Sequence, residues 1–264
     1  MKRGGGVARS TAPSARRSIP LLGVALTVLA AAFALAGPAN AANVATFAPT
    51  LSPDRLGAKG ALTIAFHVTG GEFGVPTPLQ RTVVRFPAGM GIEVPQLRSC
   101  SSDHLQQLGA RGCPRQSKLG EGHALVAVRL ASETLSENVA LSAFLGPPRR
   151  LQPTLEVLGE GVTPISVRMV VAGAVSPDRA PYGEKMAMSI PPIPTLPLAP
   201  DGSLSDLSLT IGAPRTRTSN PSASIVVPAK CPPGGFPFAA EFTYADGSSG
   251  HAATTVPCPR RGRR

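Results

Sequence analysis

The sequence predicts an all-β protein, a β-sandwich with one short helix enclosed by a disulfide loop. Three observations predict it. Short alternating apolar runs follow one another between Pro and Gly breaks, and no long stretch carries a helical period. Four cysteines fall into two local brackets, Cys100 with Cys113 and Cys231 with Cys258. A basic and then apolar leader precedes them, which implies export to a compartment where such cysteines pair. One large sandwich or two stacked ones, divided near Gly146-Pro147-Pro148, would both fit.

The leader covers residues 1–41. Lys2, Arg3, Arg9, Arg16 and Arg17 form a basic start with no acid among them, and an apolar run follows from Ile19 to about Leu35. Ala39-Asn40-Ala41 then fits a small-x-small cleavage site, with Ala42 as the new N-terminus. An uncleaved anchor is the competing reading, but the apolar run is barely long enough to span a bilayer, which takes roughly 20 residues. Arg16-Arg17 resembles a twin-arginine signal only faintly, so the general secretory route is the better match.

In the mature chain the elements come in order. Leu62 to Val68 reads as a strand ended by Gly70-Gly71, and Thr82 to Phe86 as a second stopped by Pro87. The one helix follows: Ser101 or Ser102 as N-cap, Asp103 in the first turn, Leu105 and Leu108 on one face, Gly109 as terminator. Further strands are expected at Ala124–Leu130, Val139–Leu145, Thr154–Leu158, Ile165–Val171 and Lys185–Ile190, with a turn at Ser132-Glu133 and a break at Gly159-Glu160-Gly161. On the last of these Met186, Met188 and Ile190 share one face. Residues 191–200 hold too many prolines for a central strand and read as an extended, polyproline-like crossing. Leu204–Ile211 and Ser224–Val227 complete the run before the final hairpin.

That hairpin puts Phe238, Ala240, Phe242 and Tyr244 on one face, turns at Asp246-Gly247 and returns over His251–Val256. Folding it about Gly247 sets Phe236 opposite Cys258, within reach of a clasp to Cys231. Sequential pairing is one of three possible connectivities. Closing the two loops would contribute roughly 3 and 3.5 kcal/mol in the chain-entropy picture. Ser52-Pro53-Asp54-Arg55 recurs as Ser176-Pro177-Asp178-Arg179, which a repeated turn explains more simply than duplicated halves.

The charge is less informative than its total of +11 suggests. Five of the positive charges lie before Ala42, and Arg260, Arg261, Arg263 and Arg264 sit in a terminal tail, 260–264, expected to be disordered. The body is therefore nearly neutral. There is no Trp and only two Tyr, which argues against nucleic-acid binding and against carbohydrate stacking platforms.

Phe86-Pro87-Ala88-Gly89-Met90, Cys113-Pro114-Arg115-Gln116-Ser117-Lys118-Leu119-Gly120-Glu121-Gly122, Cys231-Pro232-Pro233-Gly234-Gly235-Phe236-Pro237-Phe238 and Val256-Pro257-Cys258-Pro259 occur in one order. In this the chain resembles a family of secreted, β-rich actinobacterial proteins with paired Cys-Pro motifs and no assigned activity. The resemblance covers nearly the whole mature chain. It implies export and a shared fold, and it supplies no catalytic residue.

The chemistry-bearing residues point the same way. His67, His104, His123 and His251 match no zinc spacing, and Cys-x-x-Cys is absent. Ser102-Asp103-His104 holds triad residue types, but a capped helix start accounts for them. Glu121 with His123 fits a hairpin turn better than an acid/base pair, and Glu156 and Glu160 flank what reads as a strand end. No calcium loop or phosphate-binding glycine loop is present.

The expected function is that of an exported cell-surface or extracellular structural or binding protein, neither an enzyme nor in need of a cofactor or metal. Its expected partner is an envelope polymer or a surface protein, with membrane contact only through the uncleaved leader. An envelope-polymer hydrolase and a carrier of a small apolar ligand are the alternatives. A close carboxylate pair in a pocket would favour the first of these, and a dry cavity lined by Met and Leu the second.

Overall fold

The structure is a computed structural model describing residues 42–71, 74–94, 98–130, 133–149, 152–163, 166–195, 197, 199–213 and 223–259. The leader with Ala41, the tail 260–264, and Ser132, Ile165, Leu196 and Leu198 of the expected turn, strand and crossing lie outside these residues. Ala42 is exposed.

The described residues form one compact unit built on a single 14-stranded antiparallel sheet. Its strands are β1 (Val44–Phe47), β2 (Thr50–Ser52), β3 (Lys59–Thr69), β4 (Leu79–Pro87), β5 (Gly91–Glu93), β6 (Lys118–Leu130) and β7 (Glu133–Arg149). They continue with β8 (Gln152–Gly161), β9 (Val167–Pro177), β10 (Tyr182–Ser189), β11 (Ser203–Gly212), β12 (Ser224–Val226), β13 (Phe236–Tyr244) and β14 (Ser249–Val256). The spatial order is β14-β13-β4-β10-β9-β8-β7-β6-β11-β3-β12-β5, with β1 and β2 also on β3. From β6 to β10 it is a plain meander. Apart from the β13–β14 hairpin and the β2–β3 pair, the remaining neighbours are not consecutive in the chain.

Both layers come from this one sheet, which folds back on itself. Phe66 on β3 and Phe242 on β13 stand far apart in the strand order, yet their rings meet edge-on at 5.4 Å. β1, next to β3, likewise comes up against β14 at the other end of the strand order, while Phe86 and Phe238 meet at 6.4 Å on the adjacent strands β4 and β13. Inward residues alternate as the pleat requires: Leu62, Ile64, Phe66 and Val68 on β3, and Phe236, Phe238, Ala240, Phe242 and Tyr244 on β13, are all buried. Each such large apolar side chain contributes about 1.5–3 kcal/mol through its burial.

Of the two arrangements the sequence left open, one large sandwich or two stacked ones, the described residues form one sheet in one unit. The proposed division falls inside β7, which pairs with β8 from Val139↔Gly161 to Arg149↔Gln152. The ladder shifts register between Gly146 and Arg149, so Pro147 and Pro148 occupy an irregularity where a missing N–H is tolerated. Gly159-Glu160-Gly161 is likewise no break, since β8 runs through it. Ser52-Pro53 and Ser176-Pro177 end strands with different neighbours, β2 on β3 and β9 on β8 and β10, consistent with a repeated turn.

The hairpin forms with its register displaced. Phe236 pairs with Val256 instead of Cys258, because Tyr244 and Ser248 close the turn around Asp246-Gly247 and the Ser248 N–H bonds the Asp246 carboxylate. The displacement is two residues, so every side chain keeps its expected face. Pro237 is accommodated because β4 pairs with β13 only from Ala239 onward.

Candidate functional site

The outer face of β7, β8 and β9 carries the most built-up polar arrangement. Leu155 and Val157 point into the core, which turns Glu156, Leu158 and Glu160 outward. An outward Leu158 needs cover, and the segment between Cys100 and Cys113 supplies it. There α1 (Ser102–Leu108) is capped by Ser101, whose side chain accepts the His104 N–H, and ends at Gly109 with φ 64°. A single turn of 3-10 helix follows over Gly109–Gly112. Leu105 is wholly buried with Cys100, Phe144 and Leu158, and the Cys100–Cys113 disulfide closes the segment with its Cα atoms 5.5 Å apart. Leu108, expected beside Leu105, is instead exposed, since only one residue of so short a helix can reach the sheet.

Under α1 lies Glu156, only 1 % exposed. The Ser102 hydroxyl donates to its Oε2 at 2.8 Å. Burial pushes its carboxyl above the usual range, opposed by the Ser102 hydrogen bond and the charge of Arg149. At the other end of the helix Arg168 donates to Glu160 at 3.0 Å and to the Gln107 carbonyl at 3.3 Å, so it satisfies both a carboxylate and the helix C-terminus. Gly109 is required twice, for its φ and because a Cβ would crowd this pair at 3.1 Å.

This corrects the reading of Glu156 as an acid at a strand end, while Glu160 does lie next to the end of β8. Glu156 is a mid-strand acid under a helix, and Ser102 of the Ser-Asp-His run is its donor. The outward apolar Leu158 beside it is the signal that this face is covered.

A second polar cluster centres on Arg85 of β4. Its guanidinium donates to Asp178 and, at 2.9 Å, to Glu241, and lies 5.9 Å from the Tyr182 ring centroid. Lys185 approaches the other Asp178 oxygen at 3.7 Å. Burial alone would raise Asp178, but the Arg85 hydrogen bond and the nearby cations outweigh it and hold the carboxyl below its ordinary range. Every acid here is matched by a cation, which makes the cluster a clamp joining β4, β10, β13 and the turn after β9.

The other sequence candidates are spread out. His67 bonds Asp206 at 2.6 Å on the open outer face between β3 and β11, His123 faces Ser208 across the β6–β11 ladder, His104 lies in α1 and His251 on β14. Glu121 pairs with Lys118 at 3.0 Å. Among the described residues no group of three His, Cys, Asp or Glu side chains could hold a metal ion.

Among the described residues two partly open apolar cavities border the core. One, about 90 Å³, lies among Val126, Leu141, Val157, Met169 and Met188, with Ile193 and Pro194 of the proline-rich crossing at its border. The other, about 80 Å³, lies among Ile64, Phe86, Leu145, Leu155 and Met186. Met186 and Met188 thus serve as core and cavity wall together. The crossing is held by a bridge from Ile193 to Gly202 and by the Thr195 hydroxyl donating to the Pro200 carbonyl. Each cavity has one acid at its border: Glu137, which accepts from the Thr163 N–H, and Glu184, which burial raises.

The second disulfide joins Cys231 to Cys258 across the open end of the β13–β14 hairpin, Cα atoms 6.0 Å apart, so both expected pairings are the observed ones. Two such bonds suit an oxidising environment. Among the described residues no helix is long and apolar enough to cross a membrane. Compared with protein-family models, with curated proteins and with solved structures, the chain matches none.

Proposed function

We propose that the chain is an exported structural or binding module that acts at or outside the cell surface without catalysing a reaction. The observation that carries this reading is the pair of local disulfides, each closing an outer segment onto a sheet whose interior is already packed. One fixes α1 over Glu156 and the other clasps the last hairpin. Covalent fixing of surface segments serves a domain that must keep its outer face intact where thiols are oxidised. The polar clusters around Glu156 and Arg85 serve the same end, since their charges are engaged with one another.

The reading is tested by fractionating the producing cells and cross-linking the mature protein in its native envelope. Mature protein starting at Ala42, outside the cytoplasmic membrane and cross-linked to a polymer or surface protein, is the expected result. Full-length protein persisting in the membrane fraction would contradict cleavage, and reduced protein confined to the cytosol would contradict export.

A second reading, carriage of a small apolar ligand, is favoured by the cavity bordered by Met169 and Met188. Its volume of about 90 Å³ admits a group of only a few carbons. Native mass spectrometry of protein purified without detergent would show a bound mass if this reading holds.

A further inference from the structure

We propose that the cleft beside the first disulfide binds a phosphate-bearing polymer chain. The cleft, about 570 Å³, is lined by Arg111, Arg115 and Lys118, with Phe144 and Cys113 forming apolar wall, and no acid lines it. Its cations are set by rigid neighbours. Arg111 lies in the 3-10 turn after α1, Arg115 opens a second 3-10 turn over Arg115–Ser117, and Cys113 stands between them, bonded to Cys100. Lys118 starts β6, directly across the ladder from Phe144. Ser117, wholly buried, donates its hydroxyl to the Pro114 carbonyl and fixes the second turn.

Arg85, Arg168 and Lys59 are met by Asp178 and Glu241, by Glu160 and by Glu93. Among the described residues no ion pair engages Arg111 or Arg115. Lys118 holds only Glu121, whose side chain is 78 % exposed, and so exposed a pair yields readily to a competing anion. Three cations carried on fixed backbone turns, with one weakly held acid, suit a ligand bearing several closely spaced negative charges. Guanidinium forks match phosphate oxygens two at a time, and a phosphate polymer offers such a group at every repeat. Fixing the backbone turns that carry these side chains lowers the cost of ordering the site on binding. The inference deepens the exported-binding reading by naming its partner's chemistry, and rests on that reading only for where the polymer is met.

The test is binding of linear polyphosphate to the full mature chain across a salt series, read by calorimetry. The double variant R111Q/R115Q, checked for unchanged circular dichroism, should bind at least about tenfold more weakly. Its plot of log affinity against log salt should be shallower by roughly one to two. K118Q should weaken binding about threefold and keeps the test open if the double variant misfolds. Neutralising the tail with R260Q, R261Q, R263Q and R264Q should leave the dependence on Arg111 and Arg115 in place. Unchanged affinity in R111Q/R115Q, loss of all binding with the tail, or equal binding of polyglutamate would each overturn the proposal. None of these outcomes depends on where the protein resides, so they are separable from failure of export.

Discussion

Replacing Arg85 with Met is the perturbation whose cost the structure defines most closely. The Asp178 side chain is only 7 % exposed, and Arg85 supplies its hydrogen bond and most of its compensating charge. Methionine retains the packing of the Arg85 stem and leaves the carboxylate with the Arg179 backbone N–H and with Lys185, 3.7 Å away. Removing one partner of a fully buried pair costs 3–5 kcal/mol; with Arg85 23 % exposed and Lys185 still present, about 2 kcal/mol is expected here. For a domain of this size that lowers Tm by roughly 4–8 °C. Asp178 is held below its ordinary pKa in the folded chain, so its contribution is present above the unfolded value of 3.8 and is lost as pH falls through the folded one. The R85M deficit should therefore be full at pH 7 and shrink as the pH drops below about 4. Urea unfolding followed by circular dichroism at both pH values measures it, and R85M/D178N should recover part of the loss. A deficit under about 0.5 kcal/mol at pH 7, or one indifferent to pH, would refute the reasoning.

Three further outcomes are expected. Leu105→Ala empties the small cluster under α1 and should cost about 3 kcal/mol in urea unfolding while leaving the β signal in circular dichroism intact. Glu156→Gln keeps an acceptor for Ser102 and removes a buried charge. Because the folded chain holds the Glu156 proton to higher pH than the unfolded chain, wild-type stability falls as pH rises above the ordinary value of 4.5, and the variant's should fall less and match or exceed wild type at pH 7. Gly122→Ala places a Cβ against the Ser208 carbonyl where β6 and β11 run close, and should cost more than about 2 kcal/mol by chemical denaturation.

Elements whose signals are local were legible in the sequence. Ser101, Asp103 and Gly109 mark both ends of α1, and the alternation of Phe238, Ala240, Phe242 and Tyr244 marks the inner face of β13. The brackets around α1 and the last hairpin pair cysteines close in sequence, which made sequential bonding the simplest connectivity. What escaped depends on distant partners. β1, β2 and β5 are too short for alternation to show, and exist because β3 and β12 offer them edges. The insertion of β11 between β6 and β3, and of β4 between β13 and β10, has no local signature. Proline misled at residues 147 and 148, where an irregularity in β7 relieves the missing N–H. In the outer cluster Glu156 was visible only as an acid in a strand, since its burial comes from a helix some fifty residues earlier. The cleft at Arg111, Arg115 and Lys118 was hidden for a related reason: 3-10 turns and a disulfide, not spacing, bring its cations together.

We propose an exported domain whose two local disulfides clasp outer segments onto one folded-back sheet. Non-reducing peptide mapping of the protein recovered from outside the producing cells tests it most directly. The expected result is a Cys100–Cys113 and a Cys231–Cys258 peptide pair with an N-terminus at Ala42. A Cys113–Cys231 link, or free thiols in the recovered protein, would contradict it.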